Sequence, residues 1–257
     1  MHSISLTQAR DSHAAPGAAT CHNCPARTRC LPDGADGASL DRLERSVACR
    51  LSLARHEVLF RRGESGCQLY AIREGQFKTQ RGVPNGASQV LGFYMSGELL
   101  GLEALDDGRY GCDAVALTDS VMCVLPYAPL TRLLAQESRL QLQFHHLMSS
   151  EIARQQATML MLGNTRAPQR LAAFLLEQSV RCQLRGESGI RFQLRMSRED
   201  IATYLGLTAE SISRLLSAFQ HAGAMHVSNR AIELLAPDWL RQIVRQTAPA
   251  GSAPQPQ

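Results

Sequence analysis

Three cysteines lie close together near the start of the chain, in the segment CHNCPARTRC at residues 21–30. Cys21, Cys24 and Cys30 have the spacing C-x2-C-x5-C. Thiols at such short intervals are candidates for a disulfide framework, for a zinc site, or for three ligands of an iron–sulfur cluster. His22 would complete the zinc site, whereas a cluster with four thiolate ligands needs a fourth cysteine from elsewhere in the chain.

The composition limits the compartment and the class of protein. The chain has 257 residues, of which 44% are hydrophobic, enough for one large or two modest cores. No apolar run approaches the roughly 18 residues of a membrane span, and the first 20 residues lack the apolar region of a secretory signal. We therefore expect a cytoplasmic protein without a membrane partner. Thiols stay reduced in that compartment, which disfavours a disulfide framework.

The net charge of +4 is unevenly distributed along the chain. Residues 165–245 contain eleven arginines and seven acidic residues, so this segment carries the whole excess. Local basicity of this kind is compatible with nucleic-acid binding. By itself it is equally compatible with an ordinary solvated surface.

Apolar alternations between recurrent glycines predict a β domain in the first half of the chain. Together with the helices described below, this domain predicts an α+β fold. It consists of an N-terminal β-roll of the cupin-like jelly-roll type, a long helix and a C-terminal winged helix-turn-helix. His56 is the one histidine between residues 50 and 126, so a cupin-type metalloenzyme is rejected and no enzyme is predicted. The predicted segments are a disordered N-terminus at 1–20, a cysteine-rich arm at 21–37, the β-roll at 38–128, a dimerisation helix at 129–163, the winged domain at 164–245 and a disordered tail at 246–257.

The predicted long helix contains a heptad pattern. After Pro126 and Pro129 the sequence has no further proline or glycine before Gly163. A stripe of residues at alternating intervals of three and four is typical of a coiled-coil seam, and it predicts a homodimer. The predicted dimer interface consists of His145, Met148, Ile152, Gln155, Met159 and Leu162.

The segment SREDIATYLGLTAESISRLLSAFQ predicts two close helices joined by a tight turn. Ser197 is a good N-cap, with Asp200 as its capping-box partner, and Thr208 caps the second helix. Gly206 lies in the turn, where a positive φ is needed. Ile212 falls on the buried face of the second helix. These features together are typical of a helix-turn-helix.

The second of these helices presents polar side chains suited to base recognition. Glu210, Ser213 and Arg214 are spaced so that they share an exposed face, and each can hydrogen-bond a base edge in a major groove. The alternative is a solvent-facing helix with an ordinary Glu–Arg pair. Ser197 and Thr208, at the starts of the two helices, complete the predicted DNA-binding set. A predicted hairpin that turns at Ser228–Asn229 supplies the wing.

The order of β-roll, long helix and winged helix-turn-helix resembles the cyclic AMP receptor protein superfamily of bacterial transcription regulators. Within it the chain is similar to the FNR family, the oxygen-sensing fumarate and nitrate reduction regulators. The resemblance covers roughly residues 21–240. The motifs that carry it are C-x2-C-x5-C at 21–30, SVMCVLP at 120–126, RLAAFLL at 170–176 and LGLTAESISRLL at 205–216.

The resemblance implies a [4Fe–4S] cluster held by Cys21, Cys24, Cys30 and Cys123, the last within SVMCVLP. It also implies that the cluster forms under anoxia and promotes dimerisation and binding to TTGAT-like inverted repeats in double-stranded DNA, with RNA polymerase as a further partner. Two alternatives remain open. The same fold could sense nitric oxide or redox state, or it could be a DNA-binding regulator with a structural zinc site and no oxygen sensing.

The chain departs from the family pattern at two places. Gln155 stands where many FNR-type proteins have an aspartate on the dimer seam, so partial dimerisation without the cluster is expected. The phosphate-binding Arg-Ser pair of nucleotide-binding members falls near Cys112–Asp113, so no cyclic nucleotide is expected. The remaining cysteines are expected to be small buried hydrophobic residues; they are Cys49, Cys67, Cys112 and Cys182.

Overall fold

The structure, a computed structural model, describes residues 20–83, 86 and 88–245. The predicted disordered segments at 1–20 and 246–257 therefore lie outside the described residues, apart from Thr20.

The chain forms two compact units, residues 1–154 and 155–257. The boundary between them falls inside a helix, Ser138–Asn164. The helices are α1 (Gly37–Ser46), α2 (Ala104–Asp107), α3 (Tyr127–Gln136), α4 (Ser138–Asn164), α5 (Ala167–Gln183), α6 (Arg198–Leu205), α7 (Ala209–His221) and α8 (Pro237–Arg245). The strands are β1 (Cys49–Leu53), β2 (Val58–Phe60), β3 (Gln68–Glu74), β4 (Gln76–Gly82), β5 (Ser88–Met95), β6 (Leu99–Leu100), β7 (Asp113–Ala116), β8 (Ser120–Pro126), β9 (Arg191–Gln193), β10 (Met225–Ser228) and β11 (Ala231–Leu234).

The first unit is the predicted β-roll. Its strands form two antiparallel four-stranded sheets, ordered β1-β8-β3-β6 and β2-β7-β4-β5. Side chains from both sheets, among them Phe60, Ile72, Phe77 and Met122, share one buried core. The predicted turn glycines adopt positive φ angles, which residues with a Cβ rarely do; they are Gly63, Gly75, Gly86, Gly97 and Gly108.

Strand β8 separates the inner core from a second core on the outer face of its sheet. Met122 and Val124 point into the roll, whereas Cys123 and Leu125 point outward, as the two-residue period of a strand requires. Side chains from α1, α3 and the start of α4 cover this outer face. The outward direction of Cys123 therefore follows from the strand register.

The single helix predicted over 129–163 is wrong, because two helices occupy that segment. The backbone leaves the helical region at Glu137 (φ −121°, ψ 87°) between α3 and α4. The Glu137 carboxylate is largely buried and accepts hydrogen bonds from Ser39 and Arg42 of α1. These partners, distant in sequence, stabilise the break between the two helices. The sequence around Glu137 does not indicate that they bind it.

The second unit is a winged helix-turn-helix. Its core contains Phe174, Leu205, Ile212 and Phe219, and its sheet has the order β10-β11-β9. The wing turns one residue later than predicted, at Asn229–Arg230. Helix α8, which the sequence analysis did not include, packs against α5.

Candidate metal centre and DNA-binding surface

The cysteine-rich arm folds as two short 3-10 turns. The first spans Cys21–Asn23 and the second Arg27–Arg29. The carbonyl of Cys24 accepts the Arg27 N–H at 3.0 Å. The chain becomes extended at Cys30, directly after the second turn. These tight turns bend the arm, so its three thiols face the same region.

The structure brings the four predicted ligands together. Cys21, Cys24, Cys30 and Cys123 all line one pocket on the outer face of the β8 sheet, partly open to solvent. The remaining walls are mainly apolar, and all eight cysteines are free thiols. In the part of the chain that the structure describes, no three His, Cys, Asp or Glu side chains converge closely enough to hold one metal ion.

Burial favours the protonated form of three of these thiols, because it raises the pKa of Cys21, Cys30 and Cys123. Burial raises the pKa of Cys30 to about 12, and the neighbouring thiols of Cys123 and Cys24 add to the effect. Burial likewise raises the pKa of Cys21, helped by a thiol hydrogen bond to Glu44. For Cys123 the rise caused by burial is opposed by the guanidinium of Arg50. Metals bind thiolates, so metal uptake at this site must release protons.

His22 does not belong to the pocket lining. Its ring Nε2 lies 2.9 Å from Oδ1 of Asp41, and both side chains are exposed.

The cysteines outside the pocket differ from expectation at one position. Cys112 and Cys182 are buried, as predicted, and Cys49 is half-buried. The prediction for Cys67 is wrong, because this residue lies in the segment before β3 and is exposed.

The helix-turn-helix has the local geometry that its sequence predicts. Ser197 caps α6 in a reciprocal capping box with Asp200, and Gly206 adopts φ +63° in the turn. Thr208 caps α7 by accepting the Ser211 N–H at 3.1 Å. Both predicted DNA-contacting hydroxyls at the helix starts are thus already engaged in caps.

The three predicted base-contacting residues lie on the exposed side of α7. Arg214 and Glu210 form an ion pair across one helical turn, and their side chains are 78% and 71% exposed. Ser213 Oγ donates to the Ala209 carbonyl at 2.9 Å. A weak exposed ion pair costs little to open, so these side chains are available to another partner.

Two basic residues beside α7 were missed in the sequence analysis. Arg198 donates to the Asn229 carbonyl at 2.8 Å and Arg230 donates to the Arg195 carbonyl at 3.0 Å. Burial and the charge of Arg230 lower the pKa of Arg198. Their positions in the sequence could have identified them, because Arg198 follows the N-cap of α6 and Arg230 lies at the tip of the wing.

The predicted dimer residues divide into exposed and partly covered positions along α4. His145 and Gln155 are exposed, as are Ile152 (54%) and Met159 (73%). Met148 is half-buried against the outer core of the first unit. Leu162 is half-buried, near Gly206 in the second unit. Large apolar side chains that remain exposed on a helix are candidates for burial by a partner.

Comparisons with known proteins agree with both units. Residues 50–137 match the model of the cyclic nucleotide-binding domain, and residues 169–243 match the Crp-like helix-turn-helix domain. No helix among the described residues is both long enough and apolar enough to span a bilayer.

Two curated relatives match most of the chain. The transcriptional regulatory protein btr of Bordetella pertussis is 37% identical over 90% of this chain and 96% of its own length. The fumarate and nitrate reduction regulatory protein of Escherichia coli K12 is 36% identical over 88% of this chain and 91% of its own length.

Among solved structures, FixK2 from Bradyrhizobium japonicum has a TM-score of 0.70 and 26% identity. The match covers 80% of this chain and all of that one. Both curated relatives are named as regulatory proteins and not as enzymes. The winged helix-turn-helix, the β-roll and the extent of these matches place the chain in the CRP/FNR family of DNA-binding transcription regulators.

Proposed function

We propose that the protein is a homodimeric regulator that responds to oxygen through a [4Fe–4S] cluster held by Cys21, Cys24, Cys30 and Cys123. The observation that carries the proposal is that these four thiols line one pocket. Each thiolate of such a cluster binds a different iron, so four thiols that line one pocket suit it. The all-sulfur donor set and the apolar walls fit the same group. The name of the Escherichia coli relative also supports this assignment.

When bound, a cluster of this type supplies a metal group that oxygen can destroy. The chain's own residues connect the arm to the dimerisation helix. Gln143 of α4 donates to the Cys30 carbonyl at 3.2 Å, and Arg139 donates to the Gly34 carbonyl at 3.1 Å. An ordered arm therefore stabilises one position of the first turns of α4. To shift a population from 1:99 to 99:1, the bound group must favour the dimer-competent state by about 5.5 kcal/mol.

The exposed seam of α4 is proposed as the dimer interface. Gln155 replaces an acidic seam residue with a neutral one, so a fraction of the metal-free protein is expected to remain dimeric. Sedimentation of the metal-free protein measures this fraction, and a purely monomeric form would contradict the expectation. Ile152→Glu should abolish the dimer, whereas Leu184→Glu, at another exposed apolar position (67%), should not.

In the dimer, two copies of α7 are proposed to contact TTGAT-like inverted half-sites through Glu210, Ser213 and Arg214. The two-fold symmetry of a dimer matches the symmetry of such a site. The protein is proposed to act in the cytoplasm with RNA polymerase.

The β-roll is proposed to bind no cyclic nucleotide. By the resemblance, the phosphate-binding pair of nucleotide-binding members falls near Cys112 and Asp113, and the Cys112 thiol donates to the Glu103 carboxylate at 3.3 Å. Carboxylates near this position repel a phosphate. The interior of the roll is filled by aromatic rings, with Phe60 and Tyr110 stacked at 3.9 Å between centroids. Calorimetric titration with cyclic AMP should show no binding.

The cluster is tested on anaerobically purified protein by iron, sulfide and zinc analysis with a visible spectrum before and after air. We expect iron and sulfide in equal amounts and a visible band that bleaches in air. Cys123→Ser should abolish the band, and Cys67→Ser, which changes an exposed cysteine outside the pocket, should retain it. One zinc per chain without colour would favour the structural zinc alternative. Bleaching by nitric oxide but not by air would favour the nitric oxide alternative.

A further inference from the structure

An arginine on the strand beside Cys123 lies next to the thiol pocket. In the antiparallel register of β1 and β8, Arg50 pairs directly with Cys123, which pairs on its other side with Ala71 of β3. Directly opposed residues share one face of a sheet. Arg50 therefore lies on the outer face with Cys123, while Cys49 and Leu51 pack against the inner core.

The side chain of Arg50 is held by a carboxylate and has a buried donor without an acceptor among the described residues. Its Nη2 donates to Glu44, and only 27% of the side chain is exposed. Within the described residues, its Nε is buried and has no hydrogen-bond acceptor. A buried donor without an acceptor is uncommon in folded proteins, and a water or a bound group usually satisfies it.

Glu44 connects this arginine to the other half of the site. Its second carboxylate oxygen accepts the backbone N–H of Cys21 at 2.9 Å. Arg50 is thereby held between the strand that carries Cys123 and the arm that carries Cys21. Buried Arg73 also lines the pocket, so cationic side chains adjoin it from both β1 and β3.

We propose that Arg50 is a positioning residue of the loaded metal centre, which compensates the negative charge of the four thiolates and offers its Nε–H to the sulfur of Cys123. This inference rests on the proposed function, because it requires that the four cysteines hold a metal group. Hydrogen bonds to ligand sulfurs and nearby charge are known determinants of such centres. Glu44 holds the guanidinium in place, so the donor is oriented before the metal group binds.

The test is an anaerobic chelator challenge of the full chain, in which the rate of metal release is followed for three variants. Arg50→Met keeps an unbranched apolar chain in place of the arginine methylenes but removes the charge and the donors, and we expect release about tenfold faster than in the wild type. Arg50→Lys retains the charge without the planar donor set, so its rate of metal release should lie between those of Arg50→Met and the wild type. Arg55→Met changes an exposed arginine of the same unit and should release metal at the wild-type rate. Thermal melting of the metal-free variants reports any general loss of fold separately.

The outcomes separate this inference from the proposed function. Equal release rates for Arg50→Met and the wild type would overturn the role of Arg50 while leaving the cluster in place. If the wild type holds zinc instead of iron and sulfide, the cluster proposal fails, and the same ratio of release rates, measured for zinc, decides the role of Arg50. A wild type that holds no metal would overturn both.

Discussion

The helix-turn-helix and the cysteine pocket are specified over very different distances along the chain. In the helix-turn-helix, the decisive hydrogen bonds join residues three apart, as in the Ser197–Asp200 and Thr208–Ser211 caps. In the pocket, cysteines of the N-terminal arm share a lining with Cys123, which belongs to the last strand of the β-roll. A helix-turn-helix can thus be specified by its own neighbours, whereas the proposed metal centre depends on the complete first unit.

From this difference we predict that substitutions at long-range contacts of the first unit lower the free energy of unfolding more than substitutions of local caps in the second unit do. Removing a cap loses one hydrogen bond that solvent partly replaces. Disturbing a long-range contact moves elements that carry several parts of the site. Four measurements test this contrast.

Gly75→Ala should have the largest effect. Gly75 adopts φ +95°, and a Cβ there would lie 2.0 Å from Oγ and 2.8 Å from Cα of Ser120. Because β3, β4 and the start of β8 would have to separate, we expect a loss of more than about 3 kcal/mol in unfolding free energy, measured in urea. Gly63→Ala is the matched control, with φ +83° but open space around the added Cβ, and should cost only about 1 kcal/mol. Equal losses would contradict the steric argument.

Glu137→Ala should come next. The substitution removes the acceptor of the buried Ser39 hydroxyl and of Arg42, so we expect a loss of about 2 kcal/mol in the free energy of unfolding. Asp238→Ala, which breaks an exposed ion pair with Arg241, should change stability by less than about 0.5 kcal/mol. A loss at Glu137 as small as at Asp238 would show that the contact between α1 and the α3–α4 break contributes little.

Arg214→Ala should weaken DNA binding without changing stability. Loss of one base contact is expected to cost about 1.5 kcal/mol, or roughly tenfold in affinity for a duplex with TTGAT-like inverted half-sites. The measurement is a titration by fluorescence anisotropy at fixed salt. Arg241→Ala removes an exposed arginine from α8 and should leave the affinity for the cognate duplex nearly unchanged. If both variants bind equally well, Arg214 does not contact bases.

Thr208→Ala should cost the least stability of the three substitutions that are expected to destabilise the fold, after Gly75→Ala and Glu137→Ala. It removes the cap of α7, which is worth about 1 kcal/mol, and calorimetric melting measures the loss. Thr208→Ser retains the cap hydroxyl and should recover most of the stability. A loss well above that of Gly63→Ala would contradict the view that the helix start is specified locally.

The sequence predicted much of the fold and part of the site. The glycine turns of the roll, the Ser197 and Thr208 caps and the positive φ of Gly206 were all predictable, because each depends on residues within one or two turns of the chain. The spacing of Cys21, Cys24 and Cys30 identified three candidate ligands. The fourth, Cys123, was identified only through the family resemblance, since a lone cysteine in a strand carries no spacing signal.

Other features depended on partners distant in sequence. The helix break at Glu137 is held by Ser39 and Arg42, and it interrupts a segment that local propensity predicts as one helix. The outward direction of Cys123, and the place of Arg50 beside it, follow from strand register. Local hydrogen bonding sets the elements of this protein. The pairing of its sheets decides which side chains share a pocket, because that pairing forms only when the whole unit packs.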